Sequence, residues 1–182
     1  MGDNNCFLED GDLYLREVRL EDVNEKYYTW MNDPEVTQFL EIRFFPQSME
    51  NIETYVRKTS EKEDEIFFAI CLKNDTKHIG NIKLGPINWI HRRAEVSLVI
   101  GDKSCWGKGY ATKAISLISK YAFNKLNLHK LTAGCYKENI GSIKAFLKVG
   151  FKEEGVLKDE YFSNGIYIES VRLGLIKQEN VC

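Results

Sequence analysis

A glycine-rich segment, residues 105–112, could bind a ligand through its backbone. Its sequence, CWGKGYAT, follows an apolar run and leads directly into a helical pattern. Gly107 and Gly109 let the chain bend tightly and leave the neighbouring amide groups uncovered. Several N–H groups then point outward at the positive end of a helix, which favours an anion and most naturally a phosphate, and Lys108 adds charge. The residues expected to hold this ligand are Trp106, Gly107, Lys108, Gly109, Tyr110, Ala111 and Thr112.

Two common phosphate-binding motifs do not fit this segment. A P-loop requires Gly, four residues and then Gly-Lys-Ser/Thr, whereas five residues separate Gly101 from Gly107 and the residue after Lys108 is a glycine. The dinucleotide fingerprint requires a third glycine at the position of Thr112. The segment is therefore expected to bind a different phosphate-containing ligand.

The sequence around this turn predicts a strand, a helix and a second strand. Residues 95–100 alternate with period two, so that the even-numbered apolar residues share one face of a central strand. After Gly109 the apolar residues recur with period 3.6 as far as Leu126, which is typical of an amphipathic helix. Residues 131–136 form the next strand pattern. Such a unit normally closes with a right-handed crossover and parallel strands.

The remaining pattern predicts further strands and helices on both sides of this unit. Before it we expect a strand at 13–18, helices over 20–31 and 52–61, and a hairpin of residues 66–72 and 78–84. After it we expect a helix that ends at Gly150, and a hairpin of residues 151–162 and 166–176. No linker interrupts the chain, and 43% hydrophobic residues suffice for one core. We expect a single mixed α/β domain spanning residues 1–182.

Composition restricts the location and the partners of this chain. Lysine and arginine (25) nearly balance aspartate and glutamate (27), so no strong field would attract nucleic acid or a membrane surface. The first residues lack a secretory pattern and no apolar run spans a bilayer, which predicts a cytoplasmic protein. The five cysteines lack metal-ligand spacing, so that we expect reduced thiols and no metal.

Two motifs at the appropriate separation resemble those of the GNAT N-acetyltransferases. Gly107 and Gly109 match the acetyl-CoA pyrophosphate loop, Arg/Gln-x-x-Gly-x-Gly/Ala, although Ser104 stands at the Arg/Gln position. Asn139 and Ser142 match the family's Asn-x-x-Ser, and the sequence FLKVGF that follows is similar to its Tyr-x-Lys-x-Gly-Phe. The resemblance covers residues 93–176, roughly half of the chain.

This resemblance implies a fold, a cosubstrate and a class of acceptor. The expected fold is a mixed sheet of about seven strands with flanking helices, in which the two central strands splay to admit acetyl-CoA. The sequences IHRRAE and LNLHKL look most like the ribosomal-protein N-terminal and the spermidine N-acetyltransferase branches. The acceptor is expected to be a small-molecule amine, either a polyamine or an amino sugar, with a peptide N-terminus as the alternative. The chain could form a homodimer. The alternative to an enzyme is a module that binds acetyl-CoA without turnover.

A general base is useful in this reaction because an aliphatic ammonium has a pKa of about 10.4. Glu95 is the first candidate, since it begins the strand that enters the glycine turn; the alternative is a solvated carboxylate paired with Arg92 or Arg93. Glu41 is an isolated charge among apolar residues, and the resemblance places it near the acceptor. It could bind the amine, help to deprotonate it, or be a surface carboxylate.

The same chemistry requires a donor for the developing oxyanion and a proton for the leaving thiolate. A backbone N–H near Val99 or Ile100 could serve the oxyanion if the strands splay there. Many relatives place a tyrosine at the position of Phe146 as the acid, and phenylalanine cannot serve. Ser142 matches a serine to which the ribosomal branch assigns that role. A structural hydroxyl in the first helical turn is the alternative.

Overall fold

The computed structural model describes residues 6–178. Its strands are β1 (Leu8–Asp10), β2 (Leu13–Glu17), β3 (Ile66–Leu72), β4 (His78–Leu84), β5 (Arg93–Ile100), β6 (Lys130–Tyr136), β7 (Lys152–Ser163) and β8 (Ile166–Ile176). Its helices are α1 (Glu25–Asn32), α2 (Pro34–Thr37), α3 (Met49–Ser60), α4 (Tyr110–Asn124) and α5 (Ile140–Val149). Short 3-10 turns lie at Leu20–Asp22, Glu41–Phe44 and Lys103–Cys105. No helix in this part of the chain is long and apolar enough to span a membrane.

The strands form one mixed sheet in the order β1-β2-β3-β4-β5-β6-β8-β7. All neighbours are antiparallel except β5 and β6, which are parallel as the sequence predicts. The expected mixed α/β fold is confirmed, with eight strands instead of about seven. The additional strand is β1, whose sequence Leu-Glu-Asp lacks an apolar alternation and becomes a strand only by pairing with β2.

The central strands separate soon after they meet. The pairing between β5 and β6 covers only residues 93–95 and 130–132. Beyond that point β5 continues beside β4 as far as Ile100, and β6 continues beside β8 as far as Tyr136. A parallel ladder that stops after three residue pairs leaves a gap in the middle of the sheet. The expected splay of the central strands is confirmed.

Helices cover both faces of the sheet. On one face α4 buries an apolar stripe, formed by Ala114, Ile115, Ile118 and Ala122, each with no exposed surface. On the other face α1 and α3 pack a second cluster against the sheet, which includes Trp30 and Val56. These two clusters are the apolar layers expected on either side of a central sheet.

Candidate active site

A cleft of about 450 Å³ occupies the gap between β5 and β6. Its lining comes from both sides of the sheet. From α5 and the adjoining end of β6 come Cys135, Asn139, Ser142 and Phe146, whereas Glu41, Tyr55, Asn81 and Lys83 lie toward α1 and α3. A cleft that passes through the sheet can receive one reactant from each face.

The glycine turn at the start of α4 presents backbone donors. Gly107 and Gly109 have φ values of 72° and 83°, and an added Cβ at either would meet nothing within 4 Å. Gly109 caps α4 without a side-chain hydrogen bond, and the first amide that bonds back is that of Lys113, to the Gly109 carbonyl. Within the described residues the amides of Tyr110, Ala111 and Thr112 have no partner. Such free N–H groups at a helix start are what the predicted anion site requires.

Hydrogen bonds anchor this turn to the neighbouring strands. The Asp102 carboxylate accepts from both the amide and the hydroxyl of Ser104, at 3.0 and 2.6 Å. Burial alone would raise the pKa of Asp102. The hydrogen bonds from Lys77 and Ser104 outweigh this effect, so the pKa falls to about 2. The indole N–H of Trp106 donates to the Ile100 carbonyl at 2.7 Å. Ser104, at the family's Arg/Gln position, therefore stabilises the turn through Asp102.

The alternation of β5 determines which amides face the gap. The Glu95 carbonyl accepts a hydrogen bond from the Gly85 amide on the β4 side, and the Gly101 amide donates to Ile79 on the same side. Because both polar groups of a residue in an antiparallel strand point the same way, Val99 bonds toward β4. The Val99 amide therefore does not face the gap, and that part of the prediction is wrong. The Ile100 amide does face it, while the Val99 side chain lines the cleft.

Asn139 and Ser142 shape the opposite wall of the cleft. The Asn139 side chain caps α5 by accepting a hydrogen bond from the Ser142 amide at 3.1 Å. The Ser142 hydroxyl lies 3.4 Å from the Cys135 sulfur, whose pKa burial raises. Phe146, one turn later, is 2% exposed and packs edge-on against Phe151. Ser142 and Phe146 both line the cleft, as their spacing of four predicts.

The two candidate bases occupy different positions. Glu41 is exposed and lines the cleft from the 3-10 turn Glu41–Phe44. Glu95 is half-buried beside Thr132, where the two central strands still pair, and does not line the cleft. Arg92 donates to Asn127 instead of to Glu95, and within residues 6–178 Glu95 has no salt bridge. The alternative in which Glu95 pairs with Arg92 or Arg93 is therefore wrong for the described residues, because neither arginine forms a salt bridge to it.

Sequence patterns did not reveal the contacts that position Glu41. Arg43, from the same turn, donates to the Tyr136 hydroxyl at 2.9 Å and to the Phe162 carbonyl at 2.7 Å. Tyr136 in turn stacks on Tyr161, with ring centroids 4.0 Å apart. These contacts join segments about a hundred residues apart, so no local pattern could indicate them. They fix the turn that carries Glu41 against the C-terminal hairpin.

Comparisons with known proteins agree with this geometry. Residues 12–152 match the family model described as an acetyltransferase (GNAT) domain. An uncharacterised N-acetyltransferase p20 of Bacillus licheniformis is 32% identical over 170 residues, covering 92% of this chain and 94% of that protein. The spermidine N(1)-acetyltransferase of Escherichia coli K12 is 35% identical over 125 residues, 69% of this chain and 65% of that enzyme.

A solved structure of an N-acetyltransferase is also similar to this chain. The spermidine N-acetyltransferase of Vibrio cholerae, crystallised with CoA and spermine, superposes with a TM-score of 0.83 at 28% identity, covering 92% of this chain and 96% of that one. The family model alone spans more than half of the sequence. This chain therefore belongs to the GNAT acetyltransferase family and is an N-acetyltransferase.

Proposed function

We propose that this enzyme uses acetyl-CoA to acetylate a primary amine of a small molecule in the cytoplasm. The observation that carries the proposal is the cleft between β5 and β6, which Glu41 lines. The turn at the start of α4, which follows the end of β5 in chain order, presents free backbone donors. Acetyl-CoA would supply the acetyl group as a thioester. Homodimer formation and the absence of metal and nucleic acid stay predictions.

The residues of the glycine turn suit a pyrophosphate. The uncovered amides at the start of α4 can donate to phosphate oxygens, and the helix dipole favours the negative charge. The open space at Gly107 and Gly109 is where a side chain would otherwise obstruct these donors. Asn139 and Ser142 line the cleft and are the residues that we propose meet the thioester end. The CoA in the structure of the Vibrio cholerae relative supports acetyl-CoA as the cosubstrate.

Three proton and charge steps fall to residues of this chain. Removing a proton from an ammonium with a pKa of about 10.4 costs roughly 4 to 5 kcal/mol at neutral pH. Glu41 lines the cleft and can bind the ammonium and accept its proton, whereas Glu95 lies outside the lining of the cleft. The Ile100 amide can donate to an oxygen that gains negative charge in the gap. Ser142 or water can return a proton to the departing thiolate.

The dimensions of the cleft favour a small acceptor. Its volume lies within the range of roughly 300 to 1,000 Å³ that is typical of small-molecule sites. Tyr55, Tyr136 and Tyr161 supply apolar walls with polar edges. Among the described residues that line it, Glu41 is the only carboxylate and Lys83 adds a positive charge. A peptide N-terminus remains the alternative acceptor.

A competition experiment tests this proposal. The enzyme is incubated with acetyl-CoA and an equimolar mixture of spermidine, D-glucosamine and a short peptide with a free N-terminus. Released CoA thiol gives the total rate, and mass spectrometry identifies the acetylated product. We expect a small-molecule product and a large loss in Glu41→Gln. Acetylation of the peptide alone would instead favour the N-terminal alternative, and no thiol release with any amine would indicate a binding module.

A further inference from the structure

A histidine on β4 fixes the orientation of the Asn81 side chain. The His78 Nε2 atom lies 2.9 Å from the Gly80 carbonyl oxygen and 2.9 Å from the Asn81 Oδ1 atom. A carbonyl oxygen can only accept, so Nε2 must carry the hydrogen. The Asn81 atom that faces this N–H must then be its oxygen. The amide nitrogen of Asn81 therefore points away from His78.

The histidine ring is itself held in place. Tyr27 and Trp30 pack edge-on against it, with ring centroids at 5.9 and 5.2 Å. Its other nitrogen lies 3.9 Å from the Asp22 carboxylate, which binds Arg16 through two hydrogen bonds of 2.6 and 2.7 Å. Because these contacts restrict the ring, Asn81 cannot rotate its amide without losing the bond from His78. The orientation of the amide is built into the fold.

The outward side of this amide lacks a partner. The Asn81 Nδ2 atom is buried and makes no hydrogen bond to any residue from 6 to 178. Asn81 is only 2% exposed, yet it lines the cleft beside Val99, its pairing partner on β5. Leaving a buried donor unpaired is unfavourable, and such groups in native proteins generally serve a ligand or a bound water. An atom that satisfies an N–H donor must offer a lone pair, which an ammonium group lacks.

Lys83, the neighbouring side chain on the cleft face of β4, is also a hydrogen-bond donor. Lys83 lies two residues along β4, hence on the same face, and also lines the cleft. Its ammonium group lies 3.4 Å from Glu65. The β4 wall thus presents an N–H donor and a cation, while Glu41 lies on the turn across the cleft. A second ammonium of a long polyamine would meet this wall unfavourably, whereas an oxygen would bind it.

We propose that Asn81 is a specificity-determining residue that donates a hydrogen bond to an oxygen of the acceptor. The inference rests on the proposed acetylation of a small amine and narrows its substrate class. The favoured acceptors are amines that carry a hydroxyl or carbonyl near the reacting nitrogen, as amino sugars do. Polyamines, whose chains contain only nitrogen and carbon, leave the Asn81 donor unpaired.

A matched pair of acceptors tests this assignment. The probes are trans-2-aminocyclohexanol and cyclohexylamine, which differ by one hydroxyl beside the amine. The quantity measured is the ratio of their kcat/KM values in the wild type and in Asn81→Leu. Comparing the two proteins cancels the difference in amine basicity. We expect the wild type to prefer the hydroxylated amine, and Asn81→Leu to lower the ratio by about ten-fold, as loss of one hydrogen bond to substrate predicts.

Two further variants serve as controls. Asn81→Asp keeps the oxygen that faces His78 but replaces the donor with an acceptor, so the preference should shift toward spermidine. Ser119→Ala removes another buried polar atom without a partner, on α4 and outside the cleft, and should leave the ratio unchanged. Unfolding midpoints from circular dichroism show whether each variant is folded. Asn81→Leu removes the unpaired donor together with the oxygen that faces His78, but the His78 Nε2–H keeps the Gly80 carbonyl as a partner, so we expect a folded protein with at most a moderate loss of stability.

The outcomes separate this inference from the proposed function. If the wild type acetylates amines but Asn81→Leu leaves the ratio unchanged, the donor serves a resident water and the inference is overturned. A wild type that acetylates spermidine faster than D-glucosamine or aminocyclohexanol would also overturn it, while the proposed function would stand. If no amine yields free CoA thiol, both fail together.

Discussion

Replacement of Gly109 by valine should weaken acetyl-CoA binding by at least ten-fold. Gly109 adopts φ 83° and ψ 3°, in the left-handed region. That conformation costs an ordinary L-residue roughly 1 to 2 kcal/mol, and a β-branched side chain lies at the upper end of this range. No neighbouring atom lies within 4 Å of the added Cβ, so the cost is backbone strain and not a clash. Relief of this strain requires rotation of the turn, which moves the amides of Tyr110 and Ala111.

The assay is isothermal titration calorimetry with acetyl-CoA in the absence of any amine. The free variant can relieve this strain by rotating the turn, but it must restore the strained conformation to bind acetyl-CoA. A cost of about 1.4 kcal/mol or more corresponds to an affinity at least ten-fold weaker. Gly165→Val is the matched control, because Gly165 has φ 86° and equally open space but lies in the turn between β7 and β8. The control should lose comparable stability and keep its affinity.

The affinity, not the unfolding temperature, decides this prediction. Both valine variants are strained and should unfold at lower temperature than the wild type. A folded Gly109→Val protein that binds acetyl-CoA as tightly as the wild type would refute the assignment of the pyrophosphate to this turn. Equal losses of affinity in both variants would indicate a general loss of structure.

Three further predictions concern proton transfer and pH. If Glu41 accepts the amine proton, Glu41→Gln should lower kcat/KM far more at pH 7 than at pH 9.5, where more amine is already neutral; the same profile in Glu95→Gln instead would assign the role to Glu95. Ser142→Ala should lower kcat by about ten-fold, and Phe146→Tyr in that background should recover part of it; a wild-type kcat in Ser142→Ala would mean that water is the acid. Burial alone would raise the pKa of Asp22, but the hydrogen bonds from its arginine partner outweigh this effect, so the pKa is lowered. The stability from this pair is then present above the unfolded pKa of about 3.9 and is lost as the pH falls through the folded pKa. Asp22→Asn should lose about 2 kcal/mol of stability at pH 7. In urea titrations, the free energy of unfolding of Asp22→Asn should therefore fall less between pH 7 and acidic pH than that of the wild type.

Elements with a strong local signal could be predicted from the sequence. The apolar stripe of α4 defined that helix, because burial against a sheet requires one continuous apolar face. Asn164 and Gly165 have φ values of 50° and 86°, which is the left-handed turn that an Asn-Gly pair indicates between two strands. Gly150 ends α5 at φ 108° for the same steric reason. In each of these cases a few adjacent residues determine the conformation.

The cosubstrate half of the site shares this local origin. The glycine turn and the first residues of α4 are contiguous, so the donors that they present follow from the local sequence alone. The direction of the β5 amides does not, since it depends on which side of β5 pairs with β4. Val99 and Ile100 are adjacent in sequence, but alternation along the strand gives their amides opposite directions. One residue of register decides which of them faces the gap.

The acceptor half arises from contacts that are distant in sequence. The Arg43 guanidinium is bonded to residues 93 and 119 positions away, and this contact places Glu41 at the cleft. Asn81 lies in an ordinary strand pattern and acquires its meaning only from a histidine whose ring is oriented by aromatic residues of α1. A pattern of residue types carries no information about which way an amide points. The choice of acceptor therefore depends on a buried polar network, and substitutions at His78 should alter acceptor preference even though the ring lies outside the cleft.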